Sequence, residues 1–214
     1  MKSTTLPRFD LSHLRLTLFL AGLNLPAHMR PNLLTALLVS LAVAACSDSN
    51  NLPDATIENV ERTDTLWALV GTPVSTPSGF SVEGSRRVRT DLSIDFDFAY
   101  NIQPDGQHVV LPRAALGIDT ANSVNPGFVA RTESFEAITT PPSGGYITDD
   151  PLPVAPGERY VLRGRVTATC TVGVPKYAKL EVLEFNDALG IMTFRVLAND
   201  NCGFRSLEPG LPDR

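Results

Sequence analysis

Apolar and polar residues alternate along much of the chain after residue 60, as they do in β-strands that bury one face. The clearest alternation covers residues 93–102, where we predict a strand whose solvated face carries Asp95 and Asp97. A Pro-Asp-Gly turn at 104–106 then predicts a hairpin with residues 108–111, because proline and glycine adopt the backbone conformations of a tight turn. The buried face of the first strand is expected to hold Ile94, Phe96, Phe98, Tyr100 and Ile102.

A second long alternation covers residues 159–172 and places Cys170 on its apolar side. Gly164 interrupts this run, and we expect a bulge or a bend there. Residues 177–185 and 191–198 predict another hairpin. The segment 65–70 is apolar enough for a central strand.

No segment of more than about ten residues shows the 3.6-residue apolar period of a helix. The 14 prolines after residue 45 also leave little room for helices. We interpret 112–157 as loops with one or two short strands and a helical turn near Ala114. These patterns predict an all-β fold, an antiparallel β-sandwich of immunoglobulin-like or jelly-roll type, with a small β-barrel as the alternative. A single sandwich domain is expected over 61–214.

The amino-terminal region has a different character. Residues 33–45 form a run of thirteen residues without charge, whereas a membrane span needs about 20 apolar residues. This length is typical of the apolar core of a signal peptide, and Arg30 supplies the positive charge in front of it. We therefore assign residues 1–45 to a signal peptide region. Because such leaders have about 15–30 residues, we predict that translation starts at Met29 and that 1–28 belong to an over-long gene model.

The tetrapeptide Val43-Ala44-Ala45-Cys46 ends this apolar run and resembles the lipobox of bacterial lipoproteins. The resemblance implies that diacylglycerol alkylates the thiol of Cys46, that the leader is removed and that the new amino terminus is acylated. Residues 46–60 would then be a polar tether to the membrane. Ser47 after the cysteine resembles the sorting signal of outer-membrane members of that family. In a two-membrane cell the resemblance implies the outer membrane, on its periplasmic side or at the cell surface, rather than the inner membrane. The alternative is an ordinary secretory signal followed by a stray cysteine.

Charge narrows the choice of partners. Residues 46–214 contain 14 Lys and Arg against 22 Asp and Glu, a formal net charge of −8. Nucleic acid is therefore not an expected partner, because its phosphates require a basic surface. Attraction to anionic headgroups by charge alone is disfavoured for the same reason.

Two cysteines, Cys170 and Cys202, remain after Cys46. In an oxidising compartment we predict a disulfide between them, worth about 3–4 kcal/mol in the chain-entropy model. Two buried free thiols or a reactive site are the alternatives. The tail at 199–207 resembles the closing segment of uncharacterised bacterial lipoproteins, which implies a structural corner and no activity.

Catalytic and metal motifs are absent from the sequence, so no catalytic residue, metal or cofactor is predicted. His108 is the single histidine after residue 45 and is interpreted as a surface residue. Asp95 and Asp97 are interpreted as a solvated face, and Asp200 as a weak calcium-ligand candidate. Trp67 is expected in the core.

Three arginines, Arg159, Arg163 and Arg165, share one parity of a predicted strand. Guanidinium groups bind carboxylates and phosphates, so these arginines are a candidate anion-binding face. The alternative is pairing with the aspartates of 93–102 on a neighbouring strand.

Together these features predict a lipid-anchored envelope protein that acts as a non-catalytic binding or scaffolding module. Its partners would be the membrane, through the lipid on Cys46, and another envelope protein or complex. The alternative is a hydrolase, or a carbohydrate-active or carbohydrate-binding domain, built on a β-sandwich.

Overall fold

The computed structural model describes residues 54–118, 124–170 and 173–213. The predicted signal peptide, the start at Met29 and the lipidated Cys46 lie outside these residues. The described elements are ten β-strands and one short 3₁₀ helix: β1 (Glu61–Trp67), β2 (Gly79–Ser81), β3 (Arg86–Val88), β4 (Phe98–Ile102), β5 (His108–Pro112), η1 (Arg113–Leu116), β6 (Gly127–Arg131), β7 (Leu152–Pro153), β8 (Arg159–Arg163), β9 (Tyr177–Asn186) and β10 (Ile191–Asn199).

These strands form two antiparallel sheets of five strands each. The first sheet has the order β1-β10-β9-β8-β6, and the second has the order β3-β2-β4-β5-β7. The predicted β-sandwich is confirmed, and the sheets do not close into the barrel that was its alternative. Both predicted hairpins, β4–β5 and β9–β10, are present, as is the helical turn at η1.

Aromatic side chains fill the space between the two sheets. Phe80 and Phe98 from the second sheet meet Phe128 and Phe194 from the first, and all four are fully buried. The closest ring pair, Phe98 and Phe128, has centroids 5.1 Å apart in an edge-to-face arrangement. Such pairs add about 0.5–1.5 kcal/mol beyond the burial of their apolar area.

The strand predicted over 93–102 was wrong in its first half, because β4 begins only at Phe98. Ile94 is 61% exposed, whereas Asp97, predicted on the solvated face, is 1% exposed. The peptide N–H of Asp97 donates to Phe80 O, and its side chain accepts from the N–H of Val82. Because of these long-range bonds, the side chain of Asp97 points into the protein just before the strand starts, on the side opposite to the one its position in the alternation predicts.

Phe96 consequently packs on the outer face of the second sheet, beside Val88 and Ala99. Gly79 lies beneath it on β2, and a Cβ at that position would approach the Cβ and Cγ of Phe96 to 3.0 Å. A side chain at residue 79 would therefore require Phe96 and Thr90 to move by a few tenths of an ångström.

The strand predicted over 159–172 also ends early, at Arg163. The expected break at Gly164 is confirmed, and an added Cβ there would lie 3.0 Å from the Cβ of Val82. The prediction of a central strand near 65–70 was wrong, since β1 forms an edge of the first sheet. Trp67, at the end of β1, is only partly buried.

A second apolar cluster covers the outer face of the first sheet. The segment 132–148 contributes Phe135 and Ile138, which pack against strand and tail residues. Beneath them the ammonium group of Lys179, a residue 1% exposed, donates to the carbonyls of Phe135 (2.8 Å) and Ile138 (3.1 Å). Burial lowers the pKa of Lys179. Both faces of this sheet are therefore covered, which explains why its outward-facing residues are not uniformly polar.

Candidate functional site

The structure gives each of the three arginines of the candidate anion-binding face a different partner. Arg159 lies 3.7 Å from a carboxylate oxygen of Glu181, and the guanidinium of Arg163 lies 4.3 Å from the ring centre of Tyr146. Arg165 lies beyond the end of β8 and turns toward the second sheet. The three side chains therefore do not converge on one anion, and anion binding by any of them stays a prediction.

Arg165 and Asp97 form a buried ion pair that joins the two sheets. Asp97 accepts hydrogen bonds from the backbone N–H of Val82 (2.7 Å), the backbone N–H of Arg165 (2.7 Å) and Nη1 of Arg165 (3.2 Å). Burial raises the pKa of the Asp97 carboxyl, and Arg165 and the two amides oppose that rise. The predicted pairing of arginine with the 93–102 aspartates thus occurs, but from sheet to sheet rather than between neighbouring strands.

Three further charged side chains extend this pair. Lys176 lies 3.1 Å from Asp200 and 3.5 Å from Glu83. Burial raises the pKa of Glu83, but hydrogen bonds from Thr169 and Thr167 and the charge of Lys176 outweigh it, so the pKa is lowered overall. We call Glu83, Asp97, Arg165, Lys176 and Asp200 the ionic cluster.

The ionic cluster lies beside the disulfide between Cys170 and Cys202, whose Cα atoms are 5.3 Å apart. Both carboxylate oxygens of Asp200 accept from the N–H of Gly84, so this aspartate is engaged in structural contacts. Within 54–118, 124–170 and 173–213, no group of three His, Cys, Asp or Glu residues could hold a metal ion. The contacts of the ionic cluster are therefore structural ones. The corner implied by the resemblance of the 199–207 tail stays a prediction.

The opposite end of the sandwich carries a different surface. Three loops meet there: residues 68–78 between β1 and β2, residues 103–107 between β4 and β5, and residues 187–190 between β9 and β10. We call these three loops the loop face. The first and third loops touch, since the N–H of Ala68 donates to Gly190 O at 2.8 Å. These loops are contiguous with the strand ends from which they emerge.

Apolar side chains of the loop face are exposed to solvent. Val70 is 71% exposed, Val74 is 78% exposed and Leu189 is 58% exposed. Single exposed apolar residues are ordinary on protein surfaces, but clustered ones mark sites of interaction. Further exposed residues of the same three loops are Pro73, Pro104 and Ala188.

Hydrogen bonds hold these loops in fixed conformations. The hydroxyl of Thr72 donates to Ala68 O at 2.7 Å, and that of Thr76 donates to Pro73 O at 2.6 Å. In the second loop the side chain of Asp105 accepts from the N–H two residues later, at 3.0 Å. Little conformational freedom would therefore be lost when a partner binds.

A stack of rings supports the loop face from below. His108 lies flat against Phe185, with centroids 3.7 Å apart, and its Nδ1 is 2.6 Å from the hydroxyl of the fully buried Tyr100. Burial raises the pKa of the Tyr100 phenol. Nε2 of His108 lies 3.2 Å from a carboxylate oxygen of Asp187, which can only accept, so in the neutral ring the proton is on Nε2 and Nδ1 accepts from the Tyr100 hydroxyl.

The interpretation of His108 as a surface residue was therefore wrong, since its side chain is 16% exposed and both ring nitrogens have partners. Sequence reasoning missed this stack because Phe185 and Asp187 belong to the other sheet and to the loop that follows it. The hairpin predicted from the local pattern could have placed His108 only at the start of β5, opposite Ile102.

No protein-family model, curated protein or solved structure matches the chain. Among the described residues no helix is long and apolar enough to cross a membrane. The two ends of the sandwich differ in their charged groups and not in apolar exposure alone. The ionic cluster lies at one end, where Val60 and Leu211 are also exposed, and the loop face lies at the other.

Proposed function

We propose that this chain is a lipid-anchored envelope protein whose sandwich is a non-catalytic binding or scaffolding module, and that the loop face is its binding surface. The observation that carries the proposal is the exposure of Val70, Val74 and Leu189 on loops held by hydrogen bonds. Exposed apolar side chains on loops whose backbone is restrained by hydrogen bonds contribute little to folding, and would bind a partner at a reduced entropic cost.

The contacts of residues 56 and 57 indicate which end of the sandwich would lie near the membrane. The N–H groups of Thr56 and Ile57 donate to the side chain of Asn201, both at 3.0 Å. Asn201 follows β10, whereas the loop 187–190 precedes it, and a nine-residue strand is about 30 Å long. A domain anchored through Cys46 would be held by the Asn201 end, and its loop face would point away from the membrane.

Thr56 and Ile57 already bind the fold, so the free part of the tether predicted over 46–60 is shorter, which supports the same expectation. Eight residues lead from Cys46 to Asp54 and reach about 27 Å when fully extended. Such a tether would keep the Asn201 end near the bilayer surface. The charge of the chain would not hold the sandwich flat against anionic lipid.

A deep pocket lined by Asp95, Asp97 and other acids would favour the alternative, a hydrolase or a carbohydrate-active domain. Asp97 instead has both carboxylate oxygens bound by backbone amides inside the ionic cluster. His108, the histidine of the sandwich, has Tyr100 and Asp187 as partners on its two ring nitrogens. These contacts favour the binding module over the hydrolase.

The proposal is tested in two steps with the full-length chain, which for the first step is expressed in a Gram-negative host. Mass spectrometry of the mature protein should find a diacylglycerol-modified Cys46, and Cys46→Ala should release the protein from the membrane fraction. In the second step, the wild-type protein should be purified with reproducible partners from the membranes of the bacterium that encodes it, and not from a foreign host. An unmodified Cys46 would refute the anchor, and the absence of any reproducible partner would refute the binding role.

A further inference from the structure

We infer that the loop face docks a partner protein that presents a lysine or arginine next to aliphatic side chains. The inference rests on the proposed binding function and specifies its site and the chemistry of its partner. The evidence comes from three properties of the loop face: its apolar side chains, the sign of its charges and the way Asp187 is held.

The apolar part of the surface is formed by two loops that touch each other. Val70 and Val74 belong to the first, and Leu189 belongs to the loop that contacts it through the Ala68–Gly190 hydrogen bond. A second contact fixes Val70, whose N–H donates to the side chain of Asn101 at 3.1 Å. Three branched aliphatic side chains on adjoining rigid loops suit a partner that offers aliphatic side chains of its own, at about 25 cal/mol for each Å² that leaves water.

The charges of the loop face have one sign. Its three loops contain two charged residues, Asp105 and Asp187, and no lysine or arginine. Both aspartates are exposed, and the side chain of Asp187 is 81% exposed. A basic side chain of the partner would therefore meet carboxylates without competition from a cation within these loops.

Asp187 is also held in position for such a contact. One of its oxygens, Oδ1, faces Nε2 of His108 at 3.2 Å, and His108 is fixed by Phe185 and Tyr100. With Oδ1 held in this way, the second oxygen remains available to a partner. A carboxylate in a fixed position is a better acceptor for a lysine or arginine than one on a freely rotating side chain, because its ordering cost is already met by the fold.

The same charges argue against two other occupants. In a symmetric dimer through the loop face, Asp105 and Asp187 of one copy would face the same residues of the other, and like charges across an interface repel. A bilayer with anionic headgroups would be repelled for the same reason. A basic and aliphatic protein surface is the occupant that satisfies both the apolar and the acidic part of the loop face.

Site-specific photo-cross-linking in living cells tests this inference. A benzophenone amino acid replaces Val74 in the full-length lipidated chain, and a matched control carries it at Leu211, which is 56% exposed beside the Asn59–Gly210 bridge at the other end. We expect residue 74, and not residue 211, to cross-link to one identified protein whose attached peptide contains Lys or Arg near aliphatic residues.

Charge variants of the same cross-linking chain then test the acidic contact. Asp187→Asn keeps an acceptor for His108 but removes the charge, and should lower the cross-linking yield several-fold. Asp187→Lys should lower it at least tenfold, which corresponds to about 1.4 kcal/mol. Changing the cross-linked lysine or arginine of the partner to Glu should restore binding to the Asp187→Lys chain. As a control, Glu208→Lys, an exposed charge reversal at the Asn201 end, should leave the yield unchanged.

The outcomes separate this inference from the function on which it rests. A partner that co-purifies with wild type but cross-links equally at residues 74 and 211, or is insensitive to Asp187→Lys, refutes the docking site and leaves the binding function intact. Cross-links between two copies of the chain, or membrane attachment through the loop face, also refute it. If no partner is recovered by either method, both proposals fail.

Discussion

Replacing Asp97 by asparagine removes one charge and changes one oxygen atom to an amide nitrogen, yet we expect it to be among the most damaging single substitutions in the sandwich. Each carboxylate oxygen of Asp97 accepts a backbone N–H, one from Val82 and one from Arg165, both at 2.7 Å. The asparagine amide has one oxygen, so one of these N–H groups would face an NH₂ group instead of an acceptor.

The size of the effect follows from the losses. A buried backbone N–H without a partner costs about 1–3 kcal/mol. The guanidinium of Arg165, 3.2 Å from Asp97, would lose its closest counter-charge while its side chain is 9% exposed, and breaking a buried pair costs about 3–5 kcal/mol. These contributions overlap, so we expect a decrease of about 3–4 kcal/mol in the free energy of unfolding.

Urea unfolding at pH 7, followed by the fluorescence of Trp67, measures this decrease. The matched control is Asp95→Asn, because Asp95 lies 3.8 Å from the same guanidinium but its side chain is 64% exposed. Exposed pairs contribute about 0–1 kcal/mol, so the control should change stability by less than about 1 kcal/mol. If Asp97→Asn cost no more than Asp95→Asn, the assignment of Asp97 as the link between the sheets would be refuted.

Removing Arg165 adds a pH signature to the same reasoning. In Arg165→Met, burial would raise the pKa of Asp97 further, because the charge that opposes the rise is gone. A carboxyl whose folded pKa exceeds its unfolded value contributes stability below the unfolded pKa and loses it as the pH rises through the folded pKa. The stability deficit of Arg165→Met relative to wild type should therefore be larger at pH 8 than at pH 4, and a deficit independent of pH would contradict this account.

Three further predictions concern other contacts. Cys170→Ser with Cys202→Ser should lower the free energy of unfolding by about 3–4 kcal/mol, since the bridge joins residues 32 apart, and reduction of the wild type before urea unfolding should give a similar decrease. Gly79→Ala should lower the free energy of unfolding by about 1–3 kcal/mol, because the new Cβ would crowd Phe96. Gly144→Ala is the control, since no atom lies within 4 Å of its Cβ, and it should leave the stability measured by thermal unfolding nearly unchanged. Because the pKa of Glu83 is lowered in the folded state, its contribution is present above the unfolded value of 4.5 and lost as the pH falls, so the stability difference between wild type and Glu83→Gln should shrink from pH 7 to pH 3.

Local sequence patterns were sufficient where the contacts are local. The turn at 104–106 and the alternation on either side of residues 187–190 each predicted a hairpin that is present. Gly164 predicted a break in its strand for the correct reason, since β8 ends at the preceding residue. The disulfide between Cys170 and Cys202 was predicted because these two cysteines remain after Cys46 and allow one intramolecular pairing. Their spacing in the sequence did not enter the prediction.

The predictions were wrong where contacts with residues distant in sequence determine which side chains are buried. Asp97 has the parity of a solvated residue, but Val82 and Arg165, which lie 15 and 68 residues away, draw it into the interior. The burial of Lys179 depends in the same way on the segment around Phe135, and the stack under the loop face depends on the approach of one sheet to the other. A pattern along one strand cannot contain this information, because it is a property of packing between elements.

The order of strands in the first sheet has a consequence for the folding of this domain. β1 pairs along its whole length with β10, so that Glu61 lies opposite Leu197, and β10 is the one strand that pairs with β1 in the described part of the chain. During synthesis the amino end appears first, so β1 has no partner strand until β10, the last of the described strands, has been made. Contacts of such high sequence separation fold slowly, and the unpaired strand is open to association with other chains meanwhile. The first five residues of β1 are polar or charged, and its apolar residues are the last two, Leu66 and Trp67. The charged side chains of Glu61, Arg62 and Asp64 are well suited to limit such association during this interval.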